Sequence, residues 1–105
     1  MKNNVSINRW EKEQPPQEAE ILRLFEREGL QSYRWSNGPG DFYPEHSHAY
    51  HKVIYVLEGS IKFGLPDSEQ AVVLNSGDRL DLPPNTIHNA VVGPDGVVCM
   101  EAHHD

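Results

Sequence analysis

The sequence contains a single cysteine, Cys99, among its 105 residues. One thiol cannot form a disulfide within the chain, which excludes the disulfide framework of many small secreted domains. Its neighbours in the run Val97–Met100 are apolar, so we interpret Cys99 as a buried, unreactive core side chain. The polar segment Met1–Asn4 leads into no apolar stretch of the kind found in secretory leaders, so we expect a cytoplasmic protein.

Positive charge is also scarce. Lys and Arg number 9 against 16 Asp and Glu, which gives a formal net charge of −7 at pH 7. Because no basic surplus is available to neutralise phosphates, nucleic acid and anionic membranes are excluded as the main partners. No apolar run approaches the roughly 18 residues of a membrane span. We therefore expect a small globular protein whose partner is a small molecule.

One segment has helical spacing. From Gln17 to Glu28 the apolar residues recur at helical intervals, Pro16 suits the first turn, and Gly29 suits the C-terminal stop. The polar residues before it predict a linker or an arm that wraps the edge of a sheet. We therefore assign residues 1–30 to an N-terminal arm and helix, and residues 31–105 to the remaining unit.

After Gly29 the sequence is punctuated like an all-β protein. Turn residues recur about every 8–12 positions, which is typical of an antiparallel sandwich or barrel. The Glu58-Gly59 pair predicts a hairpin in which the strands on its two sides pair with each other. The predicted strands are Gln31–Ser36, Lys52–Glu58, Ser60–Leu65, Gln70–Leu74, Arg79–Leu82, Asn89–Val92 and Val97–Ala102.

Three histidines indicate a metal site. His46 and His48 form an H-x-H pair, and alternate side chains of an extended strand point to the same face. Taken alone, the pair would equally fit exposed histidines on a loop. His88 follows a proline-containing turn, from which a closed sheet can bring it beside the pair. Three imidazoles suit one divalent transition metal (Fe, Ni, Mn, Zn or Cu) and leave positions open for water and substrate.

The spacing of these residues resembles the motifs of small single-domain cupins of the RmlC-like superfamily, G-x5-H-x-H-x3,4-E-x6-G and G-x5-P-x-G-x2-H-x3-N. The resemblance implies an all-β fold, a cupin-type jelly-roll β-barrel, here with one short N-terminal helix. It also implies a metal or ligand site inside the barrel. The matching residues are Gly40, His46, His48, Gly59, Gly77, Pro83 and His88.

Three positions depart from the family pattern. Asn85 and Val92 replace the Gly and Asn of the second motif, and Asn tolerates the positive φ that the turn requires. Lys52 replaces the Glu of the first motif and, by strand parity, points inward. Either three histidines hold the metal alone and Lys52 binds an anionic substrate at the mouth, or its charge weakens metal binding and the barrel takes a ligand without metal. A solvated surface lysine is the third alternative.

Tyr50 shares the inward parity of the predicted metal ligands, so Lys52 and Tyr50 form the predicted substrate-binding set. Glu101 could supply a carboxylate in place of the missing Glu. No catalytic residue can be identified from the sequence. The remaining histidines are expected at the surface: His51, His103 and His104.

The resemblance implies functions of different classes. A three-His set is similar to that of cupin dioxygenases, so one hypothesis is a mononuclear metal dioxygenase or isomerase-type enzyme acting on a small polar or anionic molecule. The alternative is a non-catalytic module that binds or senses a sugar or another metabolite, and a third is a stable structural dimer. Iron with oxygen uptake would favour the enzyme, and tight binding without turnover would favour the module.

Short cupins resemble dimers built through one sheet, so we expect a homodimer. Val53, Tyr55 and Leu57 have the opposite parity to the predicted site. They are expected to face away from it, toward the other surface of the sheet or a partner subunit. The helix Gln17–Glu28 is expected to cover remaining apolar surface.

Overall fold

The computed structural model describes residues 5–104. Within this range the chain forms one short α-helix and one sheet of seven strands, in which every pairing is antiparallel. No helix of these residues is long and apolar enough to cross a membrane. The elements are β1 (Ser6–Asn8), α1 (Glu18–Arg27), β2 (Tyr33–Asn37), β3 (Phe42–His46), β4 (His51–Leu65), a 3-10 turn (Pro66–Ser68), β5 (Gln70–Asn75), β6 (Arg79–Leu82) and β7 (His88–His104).

The two long strands β4 and β7 organise the sheet. They pair with each other from His51 opposite His104 to Gly64 opposite Asn89. Midway, Gly59 pairs with Val97 but Ile61 pairs with Val92, so the stretch 93–96 of β7 lies opposite a single residue of β4. Such a bulge bends both strands and increases their local twist.

This bend divides the sheet into two leaves. The first leaf contains β1, β6, the first half of β4, the second half of β7, and β2. The second leaf contains β5, the second half of β4, the first half of β7, and β3. Buried side chains of both leaves meet in one core, so the leaves fold over each other in a jelly-roll arrangement. The all-β class and the single short helix are confirmed, although hydrogen bonds between the described strands leave the sheet open, with β1 and β2 at its ends.

The bend corrects one prediction. Lys52–Glu58 and Ser60–Leu65 do not pair with each other, because they are halves of one strand that both pair with β7. Gly59 has φ of 78°, and a Cβ there would lie 2.0 Å from the carbonyl oxygen of Gly96. A glycine with positive φ suits a bulge as well as a hairpin turn, so the residue type does not distinguish the two. The stretches predicted on either side of residues 93–96 are likewise one strand.

The N-terminal arm follows the edge of the first leaf. Ser6–Asn8 pairs with β6, which favours the edge-wrapping arm over the linker. The buried carboxylate of Asp78 accepts hydrogen bonds from the Trp10 backbone and from Arg9, at 3.0 and 2.8 Å. The arm therefore covers the open edge of β6, whose backbone groups would otherwise be available to another strand.

Helix α1 packs on the outer face of the first leaf. Its boundaries, Glu18–Arg27, lie one residue inside the predicted ones at each end, because Gln17 and Glu28 are its cap residues, and Gln17 forms a capping box with Glu20. Ile21 and Phe25 are completely buried by this packing. The ring of Phe25 meets that of Tyr55 edge-on, with centroids 5.3 Å apart.

The helix decides what the outer face of the first leaf can contact. Val53, Tyr55 and Leu57 belong to the cluster that α1 covers, and Tyr55 is only 7% exposed. These residues therefore face the other surface of the sheet, as expected, and α1 covers them there in place of a partner subunit. Arg79 joins the end of the helix to the sheet, since it hydrogen-bonds both Glu28 and the hydroxyl group of Tyr55.

Phe25→Ala is expected to lower the free energy of unfolding by about 3–5 kcal/mol, because it removes a buried ring and leaves a cavity. Leu22→Ala is the matched control on the same helix, since Leu22 is 38% exposed and should lose far less. Urea unfolding followed by circular dichroism measures both. Equal losses in the two variants would contradict the packing of α1 on the sheet.

Candidate metal centre

Three histidines converge where β3 ends and β7 begins. His46, the last residue of β3, pairs with His88, the first residue of β7. His48 lies in the loop after β3, not on the strand itself, and its carbonyl accepts a 2.6 Å hydrogen bond from the backbone of Asn85. Asn85 has φ of 65°, so the turn expected there is confirmed. One ligand atom from each histidine lies within 4.8 Å of the other two.

Backbone carbonyls determine which nitrogen of two imidazoles is protonated. Nδ1 of His46 lies 2.7 Å from the Pro44 carbonyl, and Nδ1 of His88 lies 2.9 Å from the Thr86 carbonyl. Because a carbonyl only accepts, each Nδ1 must donate its proton, and each Nε2 keeps its lone pair. A hydrogen bond of this kind orients metal-binding histidines and fixes their tautomer.

Burial favours the uncharged form of two of the three imidazoles, those of His48 and His88. Burial lowers the pKa of His48 to about 4, assisted by the charge of Lys52 and the proximity of the other two imidazoles. Burial also lowers the pKa of His88, against the hydrogen bond to Thr86. Neutral imidazoles with available lone pairs are the form that a transition metal binds, so the three residues fit such an ion. Their role as metal ligands remains a prediction.

Lys52 points into the same region. Its side chain is 12% exposed, and in the sheet it lies between Leu82 of β6 and His103 of β7. The Lys52 Nζ atom lies 3.1 Å from Nε2 of His48 and 3.3 Å from Oε2 of Glu101. The inward parity expected from the sequence is therefore observed, and a solvated surface position is not.

Glu101 is the counterion of Lys52. Its carboxylate, 5% exposed, also accepts hydrogen bonds from the Tyr33 hydroxyl at 2.5 Å and from Trp35 Nε1 at 3.0 Å, and it lies 2.9 Å from Nε2 of His103. Burial would raise the pKa of Glu101, but the Tyr33 hydrogen bond and the charge of Lys52 outweigh it and hold that pKa below its ordinary value. Glu101 is thus an ionised partner of the cation and lies outside the three-histidine cluster.

The sequence contained a signal for Glu101. It shares strand parity with Val97 and Cys99, so an inward-facing charge interrupts an apolar run. We considered this residue as a replacement ligand, whereas the structure pairs it with Lys52.

Tyr50 lies behind His48. Its ring stacks on His48 and on His103, with centroids 5.0 and 4.0 Å away, and its hydroxyl is 3.1 Å from Nδ1 of His48. Tyr50 is not among the residues that line the cavity described next. Its position allows it to orient His48, and its substrate-binding role remains a prediction.

A cavity of about 250 Å³ opens between the two leaves beside the cluster. Its walls are mainly aromatic and aliphatic, with two imidazoles, an ammonium group and a carboxylate among them. Such a site can bury a small, largely apolar body and fix it through a few polar contacts. The lining residues are Tyr33, Trp35, Tyr43, His46, Lys52, Ile54, Ile61, Phe63, His88, Ala90 and Glu101.

The other histidines lie apart from the cluster. His51 stacks on His104, with centroids 4.4 Å apart, and its Nε2 lies 2.8 Å from Asp81. His103 and His104 are exposed, as expected. The expectation was incomplete for His103, because its ring also contacts Glu101.

Comparisons with known proteins agree with this architecture. The family model Cupin_2, described as "Cupin domain", matches residues 33–100. A curated relative, the pyrimidine/purine nucleoside phosphorylase of Hahella chejuensis (strain KCTC 2396), is 37% identical over 57 residues, which are 54% of this chain and 59% of that protein.

Two solved structures are similar at 27% identity. An RmlC-like cupin from Shewanella frigidimarina NCIMB 400 has a TM-score of 0.61 over 70% of this chain and 64% of its own. The polyketide cyclase RemF from Streptomyces resistomycificus has a TM-score of 0.64 over 72% of this chain and 55% of its own. This chain thus covers less than two thirds of the length of each of these three proteins.

The histidine pKa values predict the pH dependence of stability in the metal-free protein. An imidazole in the unfolded chain takes up a proton near pH 6.5, whereas folded His48 does so only near pH 4. Between these values the unfolded state binds more protons. The free energy of unfolding should therefore fall as the pH is lowered from about 6.5 to about 4, which urea unfolding at a series of pH values measures.

His48→Asn removes the titration of His48, so the free energy of unfolding should decrease less steeply as the pH is lowered. His104→Asn, at an exposed histidine outside the cluster, is the control and should leave the decrease as in the wild type. A decrease of the same steepness in all three proteins would contradict the burial of an uncharged His48.

Proposed function

The chain belongs to the cupin family, and from this premise we propose that it binds one divalent transition metal through His46, His48 and His88 and acts on a small anionic molecule. The reaction we propose is of the dioxygenase or isomerase type. The observation that carries the proposal is the approach of three imidazole ligand atoms to within 4.8 Å of one another. The cavity lined by two of these histidines provides the space for a substrate.

A metal in this position would supply Lewis acidity toward a carbonyl or enolate oxygen, or redox chemistry toward dioxygen. The residues of the chain perform the remaining tasks. The carbonyls of Pro44 and Thr86 hold two imidazoles with their Nε2 lone pairs available. The aromatic and aliphatic walls exclude water, which strengthens electrostatic contacts inside the cavity.

Lys52 supports the choice of an anionic substrate. An ammonium group has three N–H donors, and the contacts with His48 and Glu101 use two of them. Because Lys52 also lines the cavity, the third donor can bind an acid group of a substrate. The aromatic side chains Trp35, Tyr43 and Phe63 offer flat surfaces for the rest of the molecule.

The comparisons support an enzyme in a limited way. The names of the similar proteins include a polyketide cyclase and a nucleoside phosphorylase, so chains with related sequence are named as enzymes of different reaction types.

A second candidate function is a binding or sensing module that holds a sugar or another metabolite without turnover. The observation that favours it is the contact of Lys52 with His48, because an ammonium group already occupies the nitrogen that a metal would need. In this case the cavity would take an anionic ligand directly.

We also propose a homodimer in the cytoplasm. Since α1 covers the outer face of the first leaf, we place the contact on the outer face of the second leaf. There Phe42 pairs with Val91, and Lys62 lies between Val91 and Val73. The three apolar residues are exposed: Phe42 by 65%, Val91 by 38% and Val73 by 45%. Light scattering should report a dimer for the wild type and a monomer for Val91→Lys; a wild-type monomer would contradict the proposal.

The metal content of the purified protein tests the proposed site. The wild type is incubated separately with Fe, Ni, Mn, Zn and Cu, freed of unbound ions, and analysed by mass spectrometry. We expect close to one metal per chain for at least one of them, and loss of that metal in His46→Ala and His88→Ala. His104→Ala, outside the cluster, should keep the metal.

The outcome also separates the two candidate functions. A wild type that binds none of the five metals would contradict the metal centre and leave the binding module. If the metal is bound, oxygen uptake by the iron-loaded protein with small carbonyl and thiol compounds would favour the dioxygenase over a metal-containing binding protein.

A further inference from the structure

Lys52 contacts Nε2 of His48, which is the ring nitrogen left for a metal because Nδ1 faces the hydroxyl of Tyr50. An ammonium group can only donate, so Nε2 of His48, 3.1 Å away, accepts the hydrogen bond and carries no proton. The proton of this neutral imidazole must then reside on Nδ1, which faces the hydroxyl of Tyr50 at 3.1 Å. The single free lone pair of His48 is therefore engaged by Lys52.

Glu101 offers Lys52 a second partner that does not depend on the histidines. The carboxylate is held by Tyr33, Trp35 and His103, so it stays in place wherever the lysine side chain points. Its Oε2 atom is already 3.3 Å from the Lys52 Nζ atom. A short rotation of a flexible lysine side chain is enough to leave His48 and keep Glu101.

We infer that Lys52 is an internal competitor for the metal. In the metal-free protein Lys52 hydrogen-bonds to His48. When a metal binds, Lys52 leaves His48 and pairs with Glu101 alone, and this carboxylate balances the charge of the lysine beside the metal cation. This inference rests on the proposed function, because it assumes that the three histidines bind a metal. It assigns Lys52 and Glu101 to the control of metal affinity, as positioning residues that do not coordinate the ion.

The competition has a consequence for metal choice. Every metal must displace the same hydrogen bond, so all affinities fall by a similar factor. Mn and Fe(II) bind nitrogen sites more weakly than Ni, Cu and Zn, and they lose occupancy first. The site also lacks a carboxylate ligand, which is the donor that Mn prefers. We therefore expect Ni, Cu or Zn to be retained better than Mn or Fe(II).

Zn²⁺ affinity, measured by competition with a chromophoric chelator at constant pH, tests the inference without any enzyme assay. Lys52→Met removes the ammonium group and keeps most of the side-chain length. We expect it to bind Zn²⁺ about tenfold more tightly than the wild type or better, as expected for removal of one charged hydrogen bond. Lys12→Met, at a lysine whose side chain is 66% exposed and lies outside the histidine cluster, the cavity and the proposed dimer contact, is the control and should leave the affinity unchanged.

Glu101→Gln tests the second position of the lysine. It removes the charge that attracts Lys52 and keeps the shape of the side chain, so Zn²⁺ binding should weaken. In the double variant with Lys52→Met this weakening should disappear, because the glutamate acts through the lysine. If Glu101→Gln weakens Zn²⁺ binding equally in both backgrounds, the carboxylate acts on the ion directly and the inference is wrong.

The wild type provides a test that does not rely on the folding of any variant. Nitrogen-15 spectra of the histidine rings in the metal-free protein should show His48 protonated at Nδ1 and unprotonated at Nε2. Addition of Zn²⁺ should shift the signal of Nε2. A metal-free His48 with its proton on Nε2 would overturn the inference, because Lys52 could not donate to that atom.

The outcomes separate this inference from the proposed function. If the wild type binds Zn²⁺ and Lys52→Met has the same affinity, the metal centre stands and the competition is refuted. If only Lys52→Met binds Zn²⁺, the competition is supported, whereas the metal-dependent function proposed for the wild type is refuted, because the competitor prevails there. If neither protein binds Zn²⁺, Ni²⁺ or Cu²⁺, both are refuted, because removal of the competitor should then have opened the site.

Discussion

The ion pair between Lys52 and Glu101 is the interaction on which the rest of the site depends. An isolated charge at either position would be costly to bury, since the two side chains are only 12% and 5% exposed. Paired, the charges compensate each other, and the hydrogen bonds from Tyr33 and Trp35 satisfy the remaining carboxylate capacity. The family pattern places an acid where this chain has Lys52, and the acid here comes from β7, the strand that pairs with β4.

The same ammonium group acts on the histidines. It adds to the burial that lowers the pKa of His48 and of His88, and so helps to keep both rings neutral. Neutral rings bind metals, yet the ammonium group that adds to the effect of burial also contacts Nε2 of His48. Lys52 thus prepares the cluster for a cation and opposes its entry, and the balance between these effects depends on Glu101.

The spacing of residues in the sequence predicts the histidines and the inward direction of Lys52. The rest of the site depends on long-range strand pairing, which the sequence does not reveal. The matched motifs singled out His46, His48 and His88, and parity turned Lys52 inward, because both depend on residues close in sequence. The partner of Lys52 could not be found that way, since Glu101 becomes its neighbour only through the register of β4 and β7. The Glu58-Gly59 pair predicts a hairpin in place of the observed bend for a similar reason: positive φ is a local property, whereas the partner strand depends on long-range pairing.

The bulge at residues 93–96, opposite Ser60, bends both long strands and brings their two halves over one another. His88 and Glu101 lie on one strand on either side of residues 93–96, and both line the cavity. Their separation in space is set by the angle at the fold of the strand, and the strand arms magnify any change in that angle. Backbone torsions at the bulge thus contribute to the shape of the cavity, and Ile61, which lines the cavity, lies directly beside the bulge.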